Sequence, residues 1–253
     1  MKTLYRYVRI LVIRFFAYLF AKKGMDRFNS ILILAPHPDD EVFGCAGLIH
    51  RAIKQKKEVN TIILTGGENA YNQTLIDKEE LKNQRRKLTQ SAAQTMGLPI
   101  ENIFFLSWVD GQIDVNTSNV SELSEIVSRI APDAIFAPHP FEGWQDHIAA
   151  SKLADEIINS HNSSYTIRGY KYCVWLWHSM PYNKLFLLDW KHSFLLHLNK
   201  LEHQRKLKAI RNYTEPLTPF GKPYSGDLPA LFIKANQWNK ELYFESNVSF
   251  LAK

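Results

Sequence analysis

The stretch ILILAPHPDDEVFGCAG, residues 31–47, decides the fold of this chain. It opens with five apolar residues, 31–35, and such a run predicts a strand that is buried on both faces of a sheet. Pro36 ends the run, and the small and apolar residues from Val42 onward predict a helix. The imidazole of His37 and three carboxylates lie between the two elements. Because open α/β sheets bind ligands at the carboxyl ends of their strands, we predict that this loop belongs to a functional site.

The loop carries the side chains of a divalent metal site. His37 offers a nitrogen donor, while Asp39, Asp40 and Glu41 offer hard oxygen donors, and this mixture suits zinc. An alternative is that the acidic residues only stabilise the first turn of the following helix, by capping and through its dipole. That alternative explains neither His37 nor the two prolines beside it, which restrict the loop.

Composition narrows the class of protein. The chain has 253 residues, enough for one large α/β domain with a sizeable core. Its formal net charge of +6 indicates attraction to anionic surfaces. The basic residues form no stripe interleaved with aromatic residues, so no nucleic-acid partner is expected. Both cysteines, Cys45 and Cys173, lie in apolar segments, which favours reduced thiols and a cytoplasmic location.

Residues 1–24 differ from the rest of the chain. Apolar residues have the spacing of an amphipathic helix at Val8, Leu11, Val12, Phe15, Phe16 and Leu19. Basic residues fall on the other side at Lys2, Arg6, Arg9 and Arg14. The arginines argue against a transmembrane span and against the uncharged core of a signal peptide. Two alternatives remain: a helix lying on an anionic membrane surface, peripheral at its inner face, and a terminal helix docked on the protein's own core.

Strands and helices alternate over residues 25–253, which we interpret as a single domain. Strands are predicted at 31–35, 59–64, 103–106, 133–137 and 170–177. Helices are predicted at 41–56, 78–96, 120–130, 148–159 and 194–213, followed by a loop-rich end with a short helix from Leu228. This order predicts an α/β fold with a doubly wound, mostly parallel, Rossmann-like sheet and helices on both faces. The aromatic strand 170–177 is expected to cover one side of the site.

A second group of candidate ligands follows the fourth predicted strand. That strand ends at His139, and Asp146 and His147 stand at the start of the next helix. Two such loops can meet at one edge of a parallel sheet, which would bring His37, Asp40 and His147 together. Three protein ligands with one open position are typical of a catalytic zinc site.

These segments resemble a known family. Residues 36–41, followed by Phe43, Gly44 and Cys45, resemble the signature of the PIG-L/LmbE-like zinc-dependent de-N-acetylases, and Asp146-His147 is similar to that family's second motif. The resemblance implies an amidohydrolase that removes the N-acetyl group from an N-acetylglucosamine-type amino sugar. Together with the N-terminal helix, it suggests a substrate from a glycolipid or cell-surface glycan pathway.

The resemblance also implies roles for single residues. His37, Asp40 and His147 would bind zinc, and Asp39 would act as the general base. Asp146, adjacent to a ligand, would orient a histidine from outside the ligand set.

Further residues are candidates for substrate contacts. Arg85 is similar to an arginine with which the family holds substrate, although Arg86 fits the alignment as well. Asp110 would bind sugar hydroxyls or cap a turn. Many family members carry a histidine where this chain has Trp144, and that histidine helps to stabilise the tetrahedral intermediate. Three alternatives follow for this chain: the metal alone stabilises the intermediate, His139 reaches in from the same loop to do so, or the activity is weak.

Two other functions compete with this interpretation. One is a catalytically weak or inactive protein that binds a sugar or nucleotide on the same fold; Trp144 favours it, and the presence of Asp39 argues against it. The other is a metal-dependent phosphoesterase. That chemistry often uses a second metal, and the sequence offers too few additional ligands for one.

Overall fold

A single sheet forms the centre of the protein. The computed structural model describes residues 2–24, 28–160 and 166–246. Within these ranges the strands are β1 Lys22–Lys23, β2 Ser30–Ala35, β3 Glu58–Thr65, β4 Ile103–Trp108, β5 Ala134–Pro138, β6 Arg168–Tyr172, β7 Ser193–His197 and β8 Lys240–Glu245. The helices are α1 Lys2–Phe20, α2 Asp40–Lys54, α3 Lys78–Met96, α4 Thr117–Ile130, α5 Gln145–Ser160, α6 Leu176–Ser179, α7 Lys200–Thr214 and α8 Ala230–Asn236.

The sheet has the strand order β1-β7-β8-β6-β5-β2-β3-β4. Strand β2 pairs in parallel with β3 on one side and with β5 on the other. Strand β8 is the exception, since it runs antiparallel to both β6 and β7. The prediction of a doubly wound, mostly parallel sheet is therefore confirmed.

Helices cover both faces of this sheet. The side chains of β2 alternate between two cores, because successive residues of a strand point to opposite faces. Ile31 and Ile33 pack in the core that includes α2, α3 and α7, whereas Leu32 and Leu34 pack in the core that includes α4 and α5. This double burial explains why the strand is apolar at every position.

Sequence reasoning was only partly right about the last third of the chain. The predicted strand 170–177 is β6, which ends at Tyr172, followed by the short helix α6. The predicted helix 194–213 is the strand β7 followed by α7, which begins after a capping box formed by Asn199 and Glu202. The spacing of the leucines fits a continuous helix as well as a strand followed by a helix. Only the capping residues distinguish these two possibilities. Strand β8 lies in the region predicted as loop, and the short helix α8 begins after Pro229.

Helix α1 docks on the protein's own core, which was one of the two alternatives. Its buried residues are Ile10, Ile13 and Ala17, which pack in a third core with α6, β7 and β8. The basic residues do not form the expected outer face, because Arg9 is buried and donates to the carbonyl of His178. None of the described helices is long and apolar enough to cross a membrane.

The buried ion pair between Glu241 of β8 and Lys206 of α7 provides a test of this architecture. Glu241 Oε1 lies 3.0 Å from Lys206 Nζ, and both side chains are almost fully buried. Replacing Glu241 by Leu leaves a buried ammonium without its partner, so we expect the free energy of unfolding to fall by about 3–5 kcal/mol in chemical denaturation. The control Asp227→Ala removes an exposed pair with Lys222 and should cost less than about 1 kcal/mol. If the free energy of unfolding fell equally in the two variants, this would contradict the burial of the ion pair between β8 and α7.

Candidate metal centre

The carboxyl ends of β2, β3 and β5 border a cavity of about 390 Å³. Its walls combine charged and aromatic side chains. The charged ones are His37, Asp39, Asp40, Arg85, Asp110, Asp146 and His147, and the aromatic ones are Trp144, Trp175 and Phe232. Residues from both halves of the sheet thus meet in one place, as the parallel arrangement predicts.

His37, Asp40 and His147 form a group that could hold a metal ion. Asp40 Oδ2 lies 3.2 Å from His37 Nδ1 and 3.4 Å from His147 Nε2. Tetrahedral zinc with bonds of about 2.0–2.1 Å to nitrogen and oxygen places neighbouring ligand atoms roughly 3.3–3.4 Å apart. The donor types of these three residues, and the distances from Asp40 to the two imidazoles, therefore fit a single divalent ion.

The other nitrogen of each imidazole is held by a carboxylate. His147 Nδ1 lies 2.6 Å from Glu142 Oε2, and His37 Nε2 lies 3.2 Å from Asp146 Oδ2. Such contacts fix the ring and its tautomer, so that the other nitrogen would be available to a metal. Asp146 thus lies beside the histidine of the other loop rather than beside its neighbour His147.

Glu142 was not found by sequence reasoning. Its side chain is fully buried, and its Oε1 accepts hydrogen bonds from the backbone N–H groups of Val174 and Leu176. These contacts anchor the carboxylate between two loops. The only sequence signal was its place five residues before His147, which is too weak to distinguish it from a surface glutamate.

A second group of possible ligands, His37, Asp110 and Asp146, overlaps the first. It offers only one imidazole, through the nitrogen that faces away from Asp40. The oxygens of Asp146 already accept from the N–H groups of Gly111 and Ile113, at 2.7 and 3.2 Å. The group with two imidazoles is therefore the better candidate for a divalent ion, and Asp146 contacts His37 from outside that group.

Asp39 has an unusual backbone conformation. Its φ of 124° lies in the region that favours glycine, at a cost of order 1–3 kcal/mol for other residues. Glu41 stabilises this conformation, because its Oε2 accepts from the Asp39 N–H at 3.0 Å while its Oε1 accepts from the Tyr213 hydroxyl at 2.6 Å. The Asp39 carboxylate lines the cavity, so the strained turn directs it beside the metal group.

Burial and charge set the protonation of these carboxyls. Burial raises the pKa of Asp39 well above its usual range, although the guanidinium of Arg85 opposes this. Burial also raises the pKa of Asp40, but the two histidines outweigh it and hold that pKa below its ordinary value. The pKa of Glu41 is raised to about 7 by burial, against the hydrogen bond from Tyr213. Asp40 thus remains anionic, while Asp39 can exchange a proton.

Arg85 is buried and makes three contacts around the loop. Its guanidinium donates to the carbonyls of Gly67 and Pro38 and to Asp39 Oδ2, the last at 3.2 Å. Gly67 has φ +65°, and a Cβ at this position would lie 2.3 Å from the guanidinium. This glycine is therefore required by the approach of Arg85. Arg86 contacts the ring of Phe105 and does not line the cavity.

Asp110 stands on the cavity wall near His37. Its Oδ1 lies 3.0 Å from His37 Nε2, and its Oδ2 accepts from the Asn69 N–H at 2.8 Å. Burial would raise the pKa of Asp110, but its hydrogen bond with His37 and the charge of that residue lower it. The carboxylate is therefore ionised and borders the space that a ligand would occupy.

His139 lies outside the cavity wall. Its Nδ1 accepts from the Phe141 N–H at 3.1 Å, and its ring packs edge-on against Phe244. Burial, with the charges of Lys171 and Lys184, lowers its pKa to about 3, so the ring is neutral. The structure places His139 away from the reacting position that the sequence analysis considered for it.

Trp144 occupies the rim of the cavity and is 49% exposed. Its ring lies 5.2 Å from that of Trp175, which in turn stacks on Phe232 at 4.1 Å. The expectation that the aromatic segment 170–177 covers one side of the site is met by Trp175. Phe232 was missed, because α8 was predicted only as a short helix in a loop-rich region.

Fold and site together define an α/β protein with a two-histidine, one-aspartate centre at the carboxyl edge of its sheet. The pattern of the PIG-L family, described as GlcNAc-PI de-N-acetylase, matches residues 32–158, half of the chain. The chain belongs to this family. The matched region contains both loops of the candidate metal group and all three of its residues, His37, Asp40 and His147.

The sequence identity between this chain and individual relatives is low. Diacetylchitobiose deacetylase of Thermococcus kodakarensis is 24% identical over 134 residues, which cover 52% of this chain and 49% of that enzyme. The chain thus spans about half the length of the curated relative that it matches. N,N'-diacetylchitobiose deacetylase from Pyrococcus horikoshii superposes with a TM-score of 0.63 at 22% identity, covering 82% of this chain and 73% of that chain.

Two further structures show the range of this fold. A deacetylase–teicoplanin complex from the teicoplanin biosynthesis pathway gives a TM-score of 0.62 at 11% identity, covering 87% of this chain and 100% of that chain. GalB, the 4-carboxy-2-hydroxymuconate hydratase from Pseudomonas putida, gives 0.63 at 14% identity, covering 87% and 96%. At such low sequence identity, these superpositions show a shared fold and nothing about function. The hydratase shows that this fold supports more than one reaction.

The contact between Glu142 and His147 generates a prediction about metal affinity. Glu142→Gln keeps an oxygen for the two backbone N–H groups but removes the anionic partner of His147. We expect the affinity for divalent metal to fall about 10- to 100-fold, with the fold retained. Titration calorimetry with zinc as the probe measures this. The control Glu122→Gln changes a carboxylate that contacts Trp108, and it should leave the affinity unchanged. Equal affinities in all three proteins would exclude Glu142 as a support of the ligand.

Proposed function

We propose that the protein is a zinc-dependent hydrolase that removes the N-acetyl group from an N-acetylglucosamine-type amino sugar. One observation carries the proposal: the Asp39 carboxylate shares a cavity with the group formed by His37, Asp40 and His147. The family of the chain and the deacetylases among its relatives support the same reaction. The proposed catalytic unit is a single domain, residues 25–253.

In this proposal His37, Asp40 and His147 hold the zinc ion. When bound, zinc supplies an acidified water and polarises the amide carbonyl of the substrate. Asp39 accepts the proton of the attacking water and passes it to the leaving amine, which is general base and then general acid catalysis. Arg85 orients Asp39 through the contact of 3.2 Å. The raised pKa of Asp39 suits a group that must both accept and return a proton.

The walls of the cavity supply contacts suited to a sugar. Trp144 and Trp175 offer apolar rings on which a pyranose can stack, as aromatic side chains do at amphipathic ligands. The ionised carboxylate of Asp110 can accept hydrogen bonds from hydroxyls. We therefore propose that Trp144 binds the sugar rather than the tetrahedral intermediate.

We also propose where the enzyme acts. The two cysteines of the chain are buried and unpaired, and burial raises the pKa of both thiols, which is consistent with a reducing, cytoplasmic setting. The cationic N-terminal segment favours a peripheral position at an anionic membrane surface. A substrate presented there would be an N-acetylated glycan attached to a lipid.

The principal test replaces the proposed base. Asp39→Asn keeps the size of the side chain but cannot accept a proton, so we expect acetate release to fall at least about 100-fold. Elemental analysis should still find about one zinc per chain in this variant, whereas His147→Ala should lose both zinc and activity. Asp114→Asn, at an exposed position, is the matched control. Acetate release from Asp39→Asn at the wild-type rate would exclude Asp39 as the base.

The alternative of a non-catalytic sugar-binding protein has specific support in Trp144, which stands where many family members carry a histidine. The two functions differ in what wild-type protein does with an N-acetylated sugar. An enzyme releases acetate in multiple turnovers, while a binding protein leaves the amide intact at saturating zinc.

Substitution of Trp144 separates the two roles considered for this position. Trp144→Ala removes the stacking surface, and we expect KM to rise about 2- to 10-fold with little change in kcat. Trp144→His should raise KM in the same way and raise kcat only if the site lacks an oxyanion donor. Steady-state kinetics measures both values, with Trp108→Phe as the control on the edge strand β4. An unchanged KM in Trp144→Ala would contradict the stacking role.

A further inference from the structure

The apolar side chains that remain in contact with solvent are concentrated in one region. The described residues include 18 large hydrophobic side chains that are exposed, of which nine lie on α1 and two at Phe186 and Leu187. Exposed hydrophobic residues scattered singly are ordinary, but a concentration of this size indicates a binding surface.

The exposed residues of α1 follow one face of the helix. Leu4, Val8, Leu11, Phe15 and Leu19 are all exposed and recur at intervals of three or four residues. The face carries no charge, because every exposed side chain of the described α1 residues from Thr3 to Phe20 is uncharged. Four of these residues, Val8, Leu11, Phe15 and Leu19, belong to the apolar pattern from which the amphipathic helix was predicted.

The arginines of α1 explain this orientation. The guanidinium of Arg9 donates to the carbonyl of His178 and lies 5.2 Å from the ring centre of Tyr5. Arg14 Nη2 donates to the carbonyl of Ala235 at 2.9 Å and lies over the ring of Trp238. These inward contacts turn the apolar stripe outward.

The segment 182–187 extends the same surface. The Tyr182 hydroxyl donates to the carbonyl of Tyr5 at 2.7 Å, and the two rings lie 4.5 Å apart. At the other end, the ring of Phe186 lies 6.3 Å from that of Phe16 and is 78% exposed. Two segments distant in sequence are thus joined into one apolar surface.

We propose that this surface, the exposed face of α1 with Phe186 and Leu187, inserts into the interface of an anionic membrane. This proposal rests on the proposed peripheral location of the enzyme. It names the apolar face of α1, rather than its basic residues, as the part that enters the lipid. The tyrosines at the edges of the stripe, Tyr7 and Tyr18, have the amphipathic character of residues found at membrane interfaces.

Charge distinguishes a membrane from a second copy of the chain. Residues 2–24 contain six lysines and arginines and no acidic residue, and Lys22 and Lys23 are exposed directly after α1. In 182–192 the single acidic residue, Asp189, contacts His192. A symmetric dimer through this surface would place two cationic segments together, whereas anionic headgroups complement them.

Helix α1 is connected to the cavity wall through α6. Arg9 contacts the carbonyl of His178 in α6, and α6 directly follows Trp175, which lines the cavity. A glycan bound at the aromatic rim, with its lipid in the membrane at α1, would engage both ends of this connection. This arrangement fits a lipid-linked substrate better than a free sugar.

Vesicle sedimentation with the full chain tests the proposal. We expect wild-type protein to sediment with vesicles of phosphatidylcholine and phosphatidylglycerol, and less with phosphatidylcholine alone. Phe15→Glu combined with Phe186→Glu should weaken binding at least tenfold, because both side chains are exposed and enter the lipid. Leu75→Glu, an exposed residue outside the surface, is the control and should bind as wild type does.

Several outcomes would overturn the proposal. Wild-type protein that stays in solution with the anionic vesicles excludes the membrane, as does equal binding of the double variant. A wild-type dimer that the double variant abolishes in light scattering would identify a second copy as the occupant. Acetate release from a soluble N-acetylated sugar should be the same in all variants. If none of them releases acetate, the deacetylase proposal fails while the result on vesicle binding still stands.

Discussion

The parallel pairing of β2 with β5 is the constraint on which the site depends. Ile31 faces Ala134, Leu32 faces Ile135 and Ile33 faces Phe136 in this register. Two loops far apart in sequence, one after each strand, therefore leave the sheet side by side at the same edge. A slip of one residue would exchange the two faces of the buried strand, so the cores on both sides fix the register. The distances between His37, Asp40 and His147 therefore depend on how the apolar residues of β2 and β5 pack.

The site gathers more negative charge than the described contacts neutralise. Asp39, Asp40, Asp110 and Asp146 lie around one cavity, and Arg85 contacts only Asp39 among them. Burial alone would lower the pKa of His37, but its hydrogen bonds with the aspartates raise it well above the ordinary value. A cation is favoured at this point, and a divalent ion can supply the charge in place of the proton. The electrostatics of the residues thus agree with the spacing of the ligand atoms.

Local sequence was sufficient for the elements that surround β2. A strand buried on both faces is apolar throughout, and the loop after it carries unusual residues, so both signals were strong. Strands β7 and β8 were harder, because their pattern also fits a helix or a loop and their pairing depends on contacts distant in sequence. Glu142 and Phe232 escaped detection for a related reason. Their importance comes from neighbours, His147 and Trp175, that only the folded chain brings to them.

Helix α1 shows why an amphipathic pattern alone does not decide which face is buried. The aliphatic stem of arginine can cross an apolar interface, so a basic residue can point inward when a hydrogen-bond acceptor lies on the inner side. The carbonyls of His178 and Ala235 provide such acceptors, and their positions are set by α6 and α8. Because these acceptors lie in the last third of the chain, nothing in residues 1–24 reveals them. Docking on the core and binding to a membrane are consequently compatible, since the first uses one face of α1 and leaves the second face exposed.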